Sequence, residues 1–307
     1  MGHPDFADDI WIHVAEARRG ASGFWAATKS RSFAALRMTN LKQVMSMTYA
    51  TLLTQEQDGI FTITLNRPER RNALTPAMQD ELLHAFDAAE RSDCGVVVLT
   101  GAGQAFCSGL DLEVLQTLAA KPTHEHHADA LRIAKMFRTL YDLPKPTIAA
   151  VNGAAIAGGT GLATICDFTL AVPEAKFGYT EVRIGFVPAL VSAFLALQVG
   201  EKRMRDLLLT GRLFSAEEAL GMGLVSEVVP AEKLPGRVKE LSQALLQNSP
   251  QSLRATKRLL SAQTKTRLDA DIETALQGNA ESRTTADFLE GVTAFLEKRK
   301  PVWARRS

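Results

Sequence analysis

The stretch from Val151 to Asp167, VNGAAIAGGTGLATICD, decides how this chain folds. A buried-strand pattern leads into it from Thr147, and an apolar helical run begins at Gly161. Glycines fill the turn between the two. Such a turn presents free backbone N–H groups at the positive end of a helix. The stretch therefore indicates a site that holds either a phosphate group or a developing oxyanion.

Phosphate binding by a dinucleotide fold requires the spacing G-x-G-x-x-G directly after a strand, with an acidic residue roughly 20 positions later. The run Gly158-Gly159-Thr160-Gly161 does not have this spacing. A phosphate loop of the form G-x-x-x-x-G-K-[ST] is also missing from the sequence. The sequence therefore favours the oxyanion over the nucleotide.

A second turn has the same form. Ser108-Gly109-Leu110 and Ala157-Gly158-Gly159 both place small residues between a strand pattern and a helix pattern. Either turn alone fits a purely structural role. Two such N–H groups converging on one carbonyl oxygen would form an oxyanion hole, in which each donor lowers the barrier by about 3–4 kcal/mol.

Length and composition exclude several classes of protein. The 307 residues suffice for one large domain or two modest ones, and the 35 basic and 34 acidic residues nearly cancel, which gives no indication of nucleic-acid or membrane-surface binding. No run approaches the roughly 18 apolar residues of a membrane span. Cys94, Cys107 and Cys166 have neither disulfide nor zinc spacing. We therefore expect a cytoplasmic protein without a metal site.

The first 49 residues differ from the rest in composition. There is no acidic residue between Glu16 and Glu56, whereas six basic residues lie there. An acid-poor segment rich in arginine and serine is typical of a transit peptide, but the acidic opening MGHPDFADDI is not. We expect residues 1–49 to be a poorly ordered extension, with a transit peptide as the alternative.

Alternating strand and helix patterns predict a layered α/β core over residues 50–230 and a helical tail over residues 231–307. Asp58-Gly59 predicts a hairpin, and the alternation over 60–65 puts Phe61, Ile63 and Leu65 on one face. Thr75-Pro76 predicts a helix start. The other predicted strands are 94–100, 147–152, 169–172, 176–178 and 224–229, and the other predicted helices are 110–120, 126–141, 189–199, one after Ser215 and three or four in the tail.

Six segments, in order, resemble the crotonase, or enoyl-CoA hydratase/isomerase, superfamily over roughly residues 51–303. They are LNRP at 65–68 with NAL at 72–74, AFCSGLDL at 105–112, the stretch 151–167, FGYTEVRIG at 177–185, SAEEA at 215–219 and AFLEKR at 294–299. The resemblance implies a spiral of ββα repeats closed by a C-terminal helical layer. It also implies assembly as a homotrimer or homohexamer through that layer.

The resemblance implies an acyl-CoA thioester as substrate, with no separate cofactor. The thioester carbonyl would lie between the N–H groups of Leu110 and Gly158. The stretch from Phe106 to Leu110 would line the channel for adenine and pantetheine. The residues that the resemblance assigns to binding of the CoA thioester are Arg67, Arg71, Ala73, Phe106, Ser108, Gly109, Leu110, Asp111, Gly158 and Lys298, of which Arg67, Arg71 and Lys298 would meet the CoA phosphates.

The number of catalytic carboxylates determines which reaction a member of this superfamily can catalyse. Familiar hydratases of this superfamily carry two glutamates, and Glu181 matches one of them. The other position is Gly161 here, so one carboxylate is missing. Glu113 is a weak substitute, and a solvated helix face explains it better. The resemblance therefore implies Glu181 as the catalytic acid and base.

Two reactions remain open with one glutamate. A hydratase adds water across the 2,3 double bond, and a Δ3,Δ2-enoyl-CoA isomerase moves one proton between two carbons. The residues around Gly161, Glu181 and Pro188 are similar to a bacterial hydratase branch that acts on substrates such as methylglutaconyl-CoA and carboxygeranoyl-CoA. We therefore favour hydration. A hydrolase, a decarboxylase or a non-enzymatic scaffold are the further alternatives.

Two other groups of residues have simpler explanations. His124, His126 and His127 lie at a loop-to-helix junction without further ligands, and we expect them to be solvated. Cys107 lies beside the first turn, but no neighbouring residue supplies a base, so we expect it to line the pocket and not to act as a nucleophile.

Overall fold

A computed structural model describes residues 48–119 and 122–303. Both predictions for the N-terminal extension concern residues 1–49, of which residues 1–47 lie outside the described residues. The strands are β1 Leu52–Gln57, β2 Ile60–Leu65, β3 Val96–Gly101, β4 Ala105–Cys107, β5 Thr147–Val151, β6 Ala154–Ile156, β7 Phe168–Ala171, β8 Lys176–Gly178, β9 Phe214–Ser215 and β10 Glu227–Val228. The helices are α1 Pro76–Arg91, α2 Leu112–Ala119, α3 Thr123–Asp142, α4 Gly158–Ile165, α5 Ala189–Gln198, α6 Glu201–Thr210, α7 Ala216–Met222, α8 Leu234–Leu246, α9 Pro250–Ser282 and α10 Ala286–Leu296, with 3₁₀ helices at Pro68–Arg70 and Glu181–Ile184.

The predicted hairpin is confirmed. β1 and β2 pair antiparallel, and Asp58 and Gly59 both have positive φ angles, 53° and 78°, as a two-residue hairpin turn requires. Phe61, Ile63 and Leu65 are the buried residues of β2, as its alternation predicts. The Thr75 hydroxyl accepts a hydrogen bond from Met78 N, which confirms the predicted start of α1.

The larger sheet has the strand order β1-β2-β3-β5-β7-β10. All of its pairs are parallel except β1 with β2. β3 and β5 lie inside it, and Val96 to Leu99 and Thr147 to Val151 are buried throughout. A continuous apolar run is what a strand covered on both faces needs, so the prediction for residues 94–100 holds.

A second, four-stranded sheet has the strand order β4-β6-β8-β9, so β4, β6 and β8 alternate along the chain with strands of the larger sheet. Each pair β3–β4, β5–β6 and β7–β8 gives its first strand to the larger sheet and its second strand to the smaller one, and a helical segment follows each pair. This succession is a spiral of ββα repeats, so the predicted α/β class and its spiral architecture are confirmed.

The stretch 151–167 and the strand that leads into it differ from their predicted secondary structure in two places. The predicted strand 147–152 is β5, but a second strand, β6, follows before the glycine turn. Gly153 lies between them, and a Cβ there would approach Gln104 O to 2.0 Å, so only glycine fits. The helix begins at Gly158 and not at Gly161. His126, expected in solvent, is buried at 2% exposure near the start of α3.

The helical tail comprises α8, α9 and α10. α9 packs against α3 and α5. Lys257 Nζ of α9 donates a hydrogen bond to Asp167 Oδ2 at 2.6 Å, which connects α9 to the end of the stretch 151–167. α10 packs against α2 and the 3₁₀ helix 181–184. Among the described residues, none of the helices combines the length and the apolar character needed to cross a membrane.

Candidate active site

The candidate site lies where three neighbouring strands of the smaller sheet end. β4, β6 and β8 are parallel neighbours in this order. Leu110 follows the end of β4, Gly158 the end of β6, and Glu181 the end of β8. The carboxyl ends of parallel strands meet at one edge of a sheet, where ligands of open α/β sheets usually bind. Three successive repeats thus bring the three predicted catalytic residues to one place.

Gly109 allows the first two turns to touch. Its φ angle is +84°, a conformation that favours glycine. A Cβ on Gly109 would lie 2.9 Å from both Ala157 Cβ and Ile156 O, and 3.4 Å from Gly158 N. The turn before Leu110 therefore lies directly on the turn before Gly158.

Both turns offer a free backbone donor. Leu74 N donates to Gly109 O at 2.8 Å, and Asp111 N donates to Leu74 O at 3.0 Å. This parallel bridge between Leu74 and Leu110 uses the backbone groups of the residues on either side of Leu110. The N–H group of Leu110 itself takes no part in it. Gly158 is the first residue of α4, where no intrahelical acceptor exists for its N–H. Within the described residues neither N–H has a hydrogen-bond acceptor.

Ala157, just before Gly158, has a backbone conformation that alanine rarely adopts. Its φ and ψ angles are 52° and −122°, and its N–H donates to Gly178 O at 2.6 Å. A non-glycine residue in this region costs on the order of 1–3 kcal/mol, and such strain is found mainly at functional sites. The strained turn follows β6, is hydrogen-bonded to Gly178 of β8, and directly precedes the free N–H of Gly158.

A cavity of about 240 Å³ opens next to both N–H groups and contains Leu110, Ala157 and Gly158 in its wall. Most of its wall is apolar. The polar residues that line it are Arg71, Ser108, Thr180, Glu181 and Asn279. Large apolar walls with few polar groups are typical of sites for small organic ligands, because the polar groups then orient the ligand.

Glu181 supplies the carboxyl group of this cavity. It is 8% exposed, and its Oε2 atom is shut off from solvent without a hydrogen-bond partner in the described chain. Burial raises its pKa from the ordinary value of 4.5 to about 7. A carboxyl group with this pKa is present in both protonation states at neutral pH, which suits a group that both takes and gives a proton.

Apolar side chains occupy the space beside Gly161, the position of the missing glutamate. A Cβ on Gly161 would lie 2.9 Å from Val191 Cγ1 and 3.3 Å from Phe137 Cζ. Glu113 does not replace that carboxylate, because it is 61% exposed and pairs with Arg70 at 2.9 Å outside the cavity wall. The described cavity wall therefore carries a single carboxyl group.

The structure separates the residues that the resemblance assigns to CoA. Arg71, Ser108, Leu110 and Gly158 line the cavity. Arg71 is exposed and forms no ion pair with a described residue. Lys298, also exposed, follows α10 and does not line this cavity.

The other assigned residues are engaged within the protein. Arg67 Nη1 donates to Ala73 O at 2.7 Å and to Asp111 Oδ2 at 3.1 Å, so this guanidinium joins the 67–73 loop to the turn after Leu110. Phe106 is fully buried in β4 and belongs to the core, so its side chain does not reach the cavity. Gly109 acts through its backbone, as described above.

Cys107 is fully buried, and desolvation raises the pKa of its thiol to about 12. A thiol with this pKa stays protonated at neutral pH and is a poor nucleophile. Within the described residues, no three histidine, cysteine, aspartate or glutamate side chains come together as a metal site would require.

The fold and this site define an enzyme of the crotonase superfamily, whose ββα spiral the chain shares. The chain belongs to the enoyl-CoA hydratase/isomerase family, since the model of that family matches residues 55–306. Three solved structures with the same fold support this assignment, and they come from different bacteria.

The first is an enoyl-CoA hydratase from Mycobacterium avium subsp. paratuberculosis, at 30% identity and a TM-score of 0.75, covering 84% of this chain and 100% of the other. The second is an enoyl-CoA hydratase from Bacillus halodurans, at 28% identity and a TM-score of 0.76, covering 80% and 100%. The third is an enoyl-CoA hydratase/isomerase from Xanthobacter autotrophicus, at 31% identity and a TM-score of 0.75, covering 83% and 100%.

A protein of Thermus thermophilus is more similar in sequence. It bears the name "Putative enoyl-CoA hydratase" and is 47% identical over 248 residues, which cover 80% of this chain and 98% of that protein. The similarity therefore extends over nearly the whole length of this relative.

Sequence reasoning missed Phe137, Val191 and Asn279 in the cavity wall. A signal for Asn279 was present. Leu268, Ala275 and Leu276 mark the buried side of α9 at helical spacing, and Asn279 continues that side. A polar residue on a buried helix face needs an explanation, and here it lies at the cavity.

Proposed function

We propose that this chain is an enoyl-CoA hydratase that adds water across the 2,3 double bond of an enoyl-CoA thioester, with Glu181 as its acid and base. The observation that carries the proposal is the position of Glu181, a buried glutamate with an unpartnered Oε2. It lines the same cavity as Leu110 and Gly158, whose backbone N–H groups are free. The name of the Thermus thermophilus relative supports hydration. Proton transfer and oxyanion binding need no group beyond the protein, the thioester and water.

In the proposed first step, the thioester oxygen accepts hydrogen bonds from Leu110 N and Gly158 N. Glu181, as the carboxylate, takes a proton from a bound water molecule while the water oxygen forms a bond to Cβ. The π electrons move toward the thioester, whose oxygen becomes the enolate oxyanion. Donors fixed in place before the reaction stabilise this charge more than water does, since they need no reorganisation.

In the proposed second step, protonated Glu181 gives its proton to Cα, and the enolate collapses to the saturated thioester. The hydroxyl group and the new hydrogen both derive from one water molecule, and Glu181 returns to its ionised state. Val191 and Phe137 fill the space beside Gly161, where a second carboxyl group would otherwise share this work. One carboxyl group therefore acts on one face of the double bond.

The single carboxyl group also favours a second candidate function, Δ3,Δ2-enoyl-CoA isomerase. In that reaction Glu181 takes a proton from C2 of a 3-enoyl thioester, and the resulting dienolate is held by the same two N–H groups. Glu181 then returns the proton to C4, which leaves the double bond between C2 and C3. No water molecule is consumed.

An ultraviolet assay with two substrates separates these functions, because the conjugated 2-enoyl thioester absorbs and the 3-enoyl thioester does not. Loss of absorbance with the 2-enoyl substrate is the expected result for the hydratase. A gain with the 3-enoyl substrate, while the 2-enoyl signal stays constant, would replace our proposal by the isomerase. Branched and carboxylated 2-enoyl thioesters belong in the same assay, because the preferred acyl group decides the rate.

Glu181→Gln tests the assigned residue. We expect this variant to keep its fold and its affinity for CoA thioesters and to lose most turnover, since an amide can neither take nor give the proton. Glu113→Gln is the matched control, because Glu113 is an exposed glutamate outside the cavity and its variant should turn over normally. Equal rates for Glu181→Gln and the wild type would rule out this role.

Assembly as a homotrimer or homohexamer and a cytoplasmic location stay predictions. Exposed leucines on the helical tail support the assembly, for example Leu259 and Leu260 of α9 at 61% and 55% exposure. Light scattering of the purified protein would measure its mass directly.

A further inference from the structure

The hydroxyl group of Thr160 connects α4 to two strands of the smaller sheet. Thr160 is the third residue of α4 and is fully buried. Its Oγ1 atom donates to Ala155 O of β6 at 2.6 Å and accepts from Gly178 N of β8 at 3.1 Å. Gly178 O lies 3.2 Å from the same hydroxyl and is the weaker of the two acceptors for its single proton. One side chain therefore holds β6 and β8 to the first turn of the helix.

These hydrogen bonds differ from those that a threonine usually makes inside a helix. A helical threonine hydroxyl commonly bonds to the carbonyl group of the third or fourth preceding residue in the same helix. Ala155 precedes Thr160 by five residues and lies in a strand. Threonine also has a lower helix propensity than alanine. Helix formation therefore does not explain Thr160, whereas the connection to β6 and β8 does.

Both ends of this connection lie close to a proposed catalytic group. Gly158, whose N–H is one of the two oxyanion donors, precedes Thr160 by two residues in the first turn of α4. Glu181 follows Gly178 by three residues. Ala157 N, directly before Gly158, donates to Gly178 O at 2.6 Å. The Thr160 hydroxyl thus belongs to a short hydrogen-bonded link between an oxyanion donor and the segment that carries the carboxyl group.

The first turn of α4 is also held from the side of β4. A Cβ on Gly159 would come within 2.1 Å of Cys107 O, so the backbone of this turn lies directly on the end of β4. β4 leads to Leu110, the other oxyanion donor. Gly159 and Thr160 together therefore contact all three strands whose ends carry the proposed site.

Thr160 has no contact with the space that a substrate would occupy. It is fully buried and does not belong to the residues that line the cavity. Its hydroxyl can therefore influence the reaction only through the positions of the groups around it. Errors in such positions are costly, since a displacement of about 1 Å can lower a rate about 100-fold.

We propose that Thr160 is a positioning residue that fixes the oxyanion donor Gly158 N relative to the carboxyl group of Glu181. The inference rests on the proposed function, because it takes these two groups as catalytic. The hydroxyl acts by holding α4 to β6 and β8 through hydrogen bonds that an apolar side chain of the same shape cannot make.

A pair of threonines in the same part of the fold gives a matched test. Thr160→Val keeps the shape and removes the hydroxyl, whereas Thr160→Ser keeps the hydroxyl. Thr169→Val is the control, since Thr169 is 2% exposed and its Oγ1 donates to Ala163 O near the other end of α4 at 2.8 Å. Thr169 belongs to β7 of the larger sheet and does not line the cavity. Each valine variant thus removes a buried hydroxyl that connects α4 to a strand, and thermal unfolding compares their losses of stability.

Turnover then separates positioning from stability. We expect Thr160→Val to lose kcat on the order of 10- to 100-fold with little change in KM, because the thioester still binds but the reacting groups are misplaced. Thr160→Ser should recover most of this loss, and Thr169→Val should have the kcat of the wild type. Equal kcat values for the two valine variants would overturn the proposal, as would a Thr160→Ser variant no faster than Thr160→Val. If Thr160→Val does not fold, Thr160→Ala takes its place, because it also lacks the hydroxyl and favours the helix.

A binding measurement keeps this test separate from the reaction. Infrared difference spectra of a bound saturated acyl-CoA, isotopically labelled at its thioester carbonyl, report the hydrogen bonds to that oxygen without any turnover. The wild type and Thr169→Val should lower the carbonyl frequency equally, and Thr160→Val should lower it less. If these shifts are found but no enoyl substrate is hydrated, the proposed function fails and the inference about Thr160 stands. If hydration is found and Thr160→Val matches the wild type in both frequency and kcat, the function stands and the inference fails.

Discussion

Gly291 of α10 lies directly against the main chain of Ile184, so that a Cβ at position 291 would come within 2.3 Å of the Ile184 carbonyl carbon and oxygen. Gly185 makes the reciprocal approach, and a Cβ there would lie 2.2 Å from Asp287 O. Ile184 ends the 3₁₀ helix that begins at Glu181. The helical tail therefore packs directly against the segment that carries Glu181.

Gly291→Ala should displace the 181–184 segment, because the new methyl group would meet backbone atoms that cannot move alone. We expect a loss of stability of about 1–3 kcal/mol and a fall in kcat larger than the change in KM. Gly278→Ala in α9 is the matched control, since nothing lies within 4 Å of its Cβ position. It should stabilise the helix by up to about 1 kcal/mol and leave kcat unchanged. Unfolding curves and rates of both variants decide the matter.

Gly109→Ala should separate the two turns of the proposed oxyanion hole. We expect kcat to fall on the order of 100-fold or more, as for the loss of one oxyanion donor. Gly223→Ala is the control, because Gly223 has a similar φ angle of +80° but nothing within 4 Å of its Cβ position. It should lose about 1 kcal/mol of stability and retain its rate. If the two variants have equal rates, the contact between the turns does not matter for catalysis.

Glu181→Gln should change how stability depends on pH. The pKa of Glu181 is about 7 in the folded protein and 4.5 ordinarily. Between these two pH values Glu181 is ionised in the unfolded chain but still protonated in the folded protein. The wild type therefore loses stability as the pH rises from 4.5 to about 7. The variant has no such loss. We expect it to be more stable than the wild type by roughly 3 kcal/mol above pH 8, with the difference vanishing near pH 4.5. Urea unfolding across this range measures the difference.

Gly161 and Val191 should be energetically coupled. Gly161→Ala gains up to about 1 kcal/mol of helix propensity, but its methyl group would crowd Val191 Cγ1 at 2.9 Å. We therefore expect Gly161→Ala to destabilise the wild type by about 1–3 kcal/mol and to be neutral or stabilising in a Val191→Ala background. A double-mutant cycle of unfolding free energies gives the coupling. Additive effects would mean that Val191 does not occupy the space beside Gly161.

The elements that the sequence predicts well have strong local signals. The alternation in β2, the Thr75 cap of α1 and the apolar run of β3 depend on neighbouring residues alone, and the structure confirms all three. The strands β4, β6 and β9 were not predicted. They have two or three residues each, and they exist because distant segments pair with them.

The same distinction applies to the site. Motif resemblance points to Leu110, Gly158 and Glu181, and these lie around one cavity. It does not indicate that Arg67 is engaged by Asp111, because that contact depends on how a loop meets a distant turn. The side chains beside Gly161 come from α3 and α5, and Asn279 reaches the cavity wall from α9, so both features require the tertiary structure.

The smaller sheet also has a kinetic consequence. Its pairs join distant parts of the chain, such as Ala105 with Ala154 and Phe177 with Phe214. Contacts of this kind form late, because the loops between the partners must close first. No fragment with native helices alone can therefore bring Leu110, Gly158 and Glu181 together. Recovered turnover would report that the entire topology has been reached, whereas recovered helix content would not.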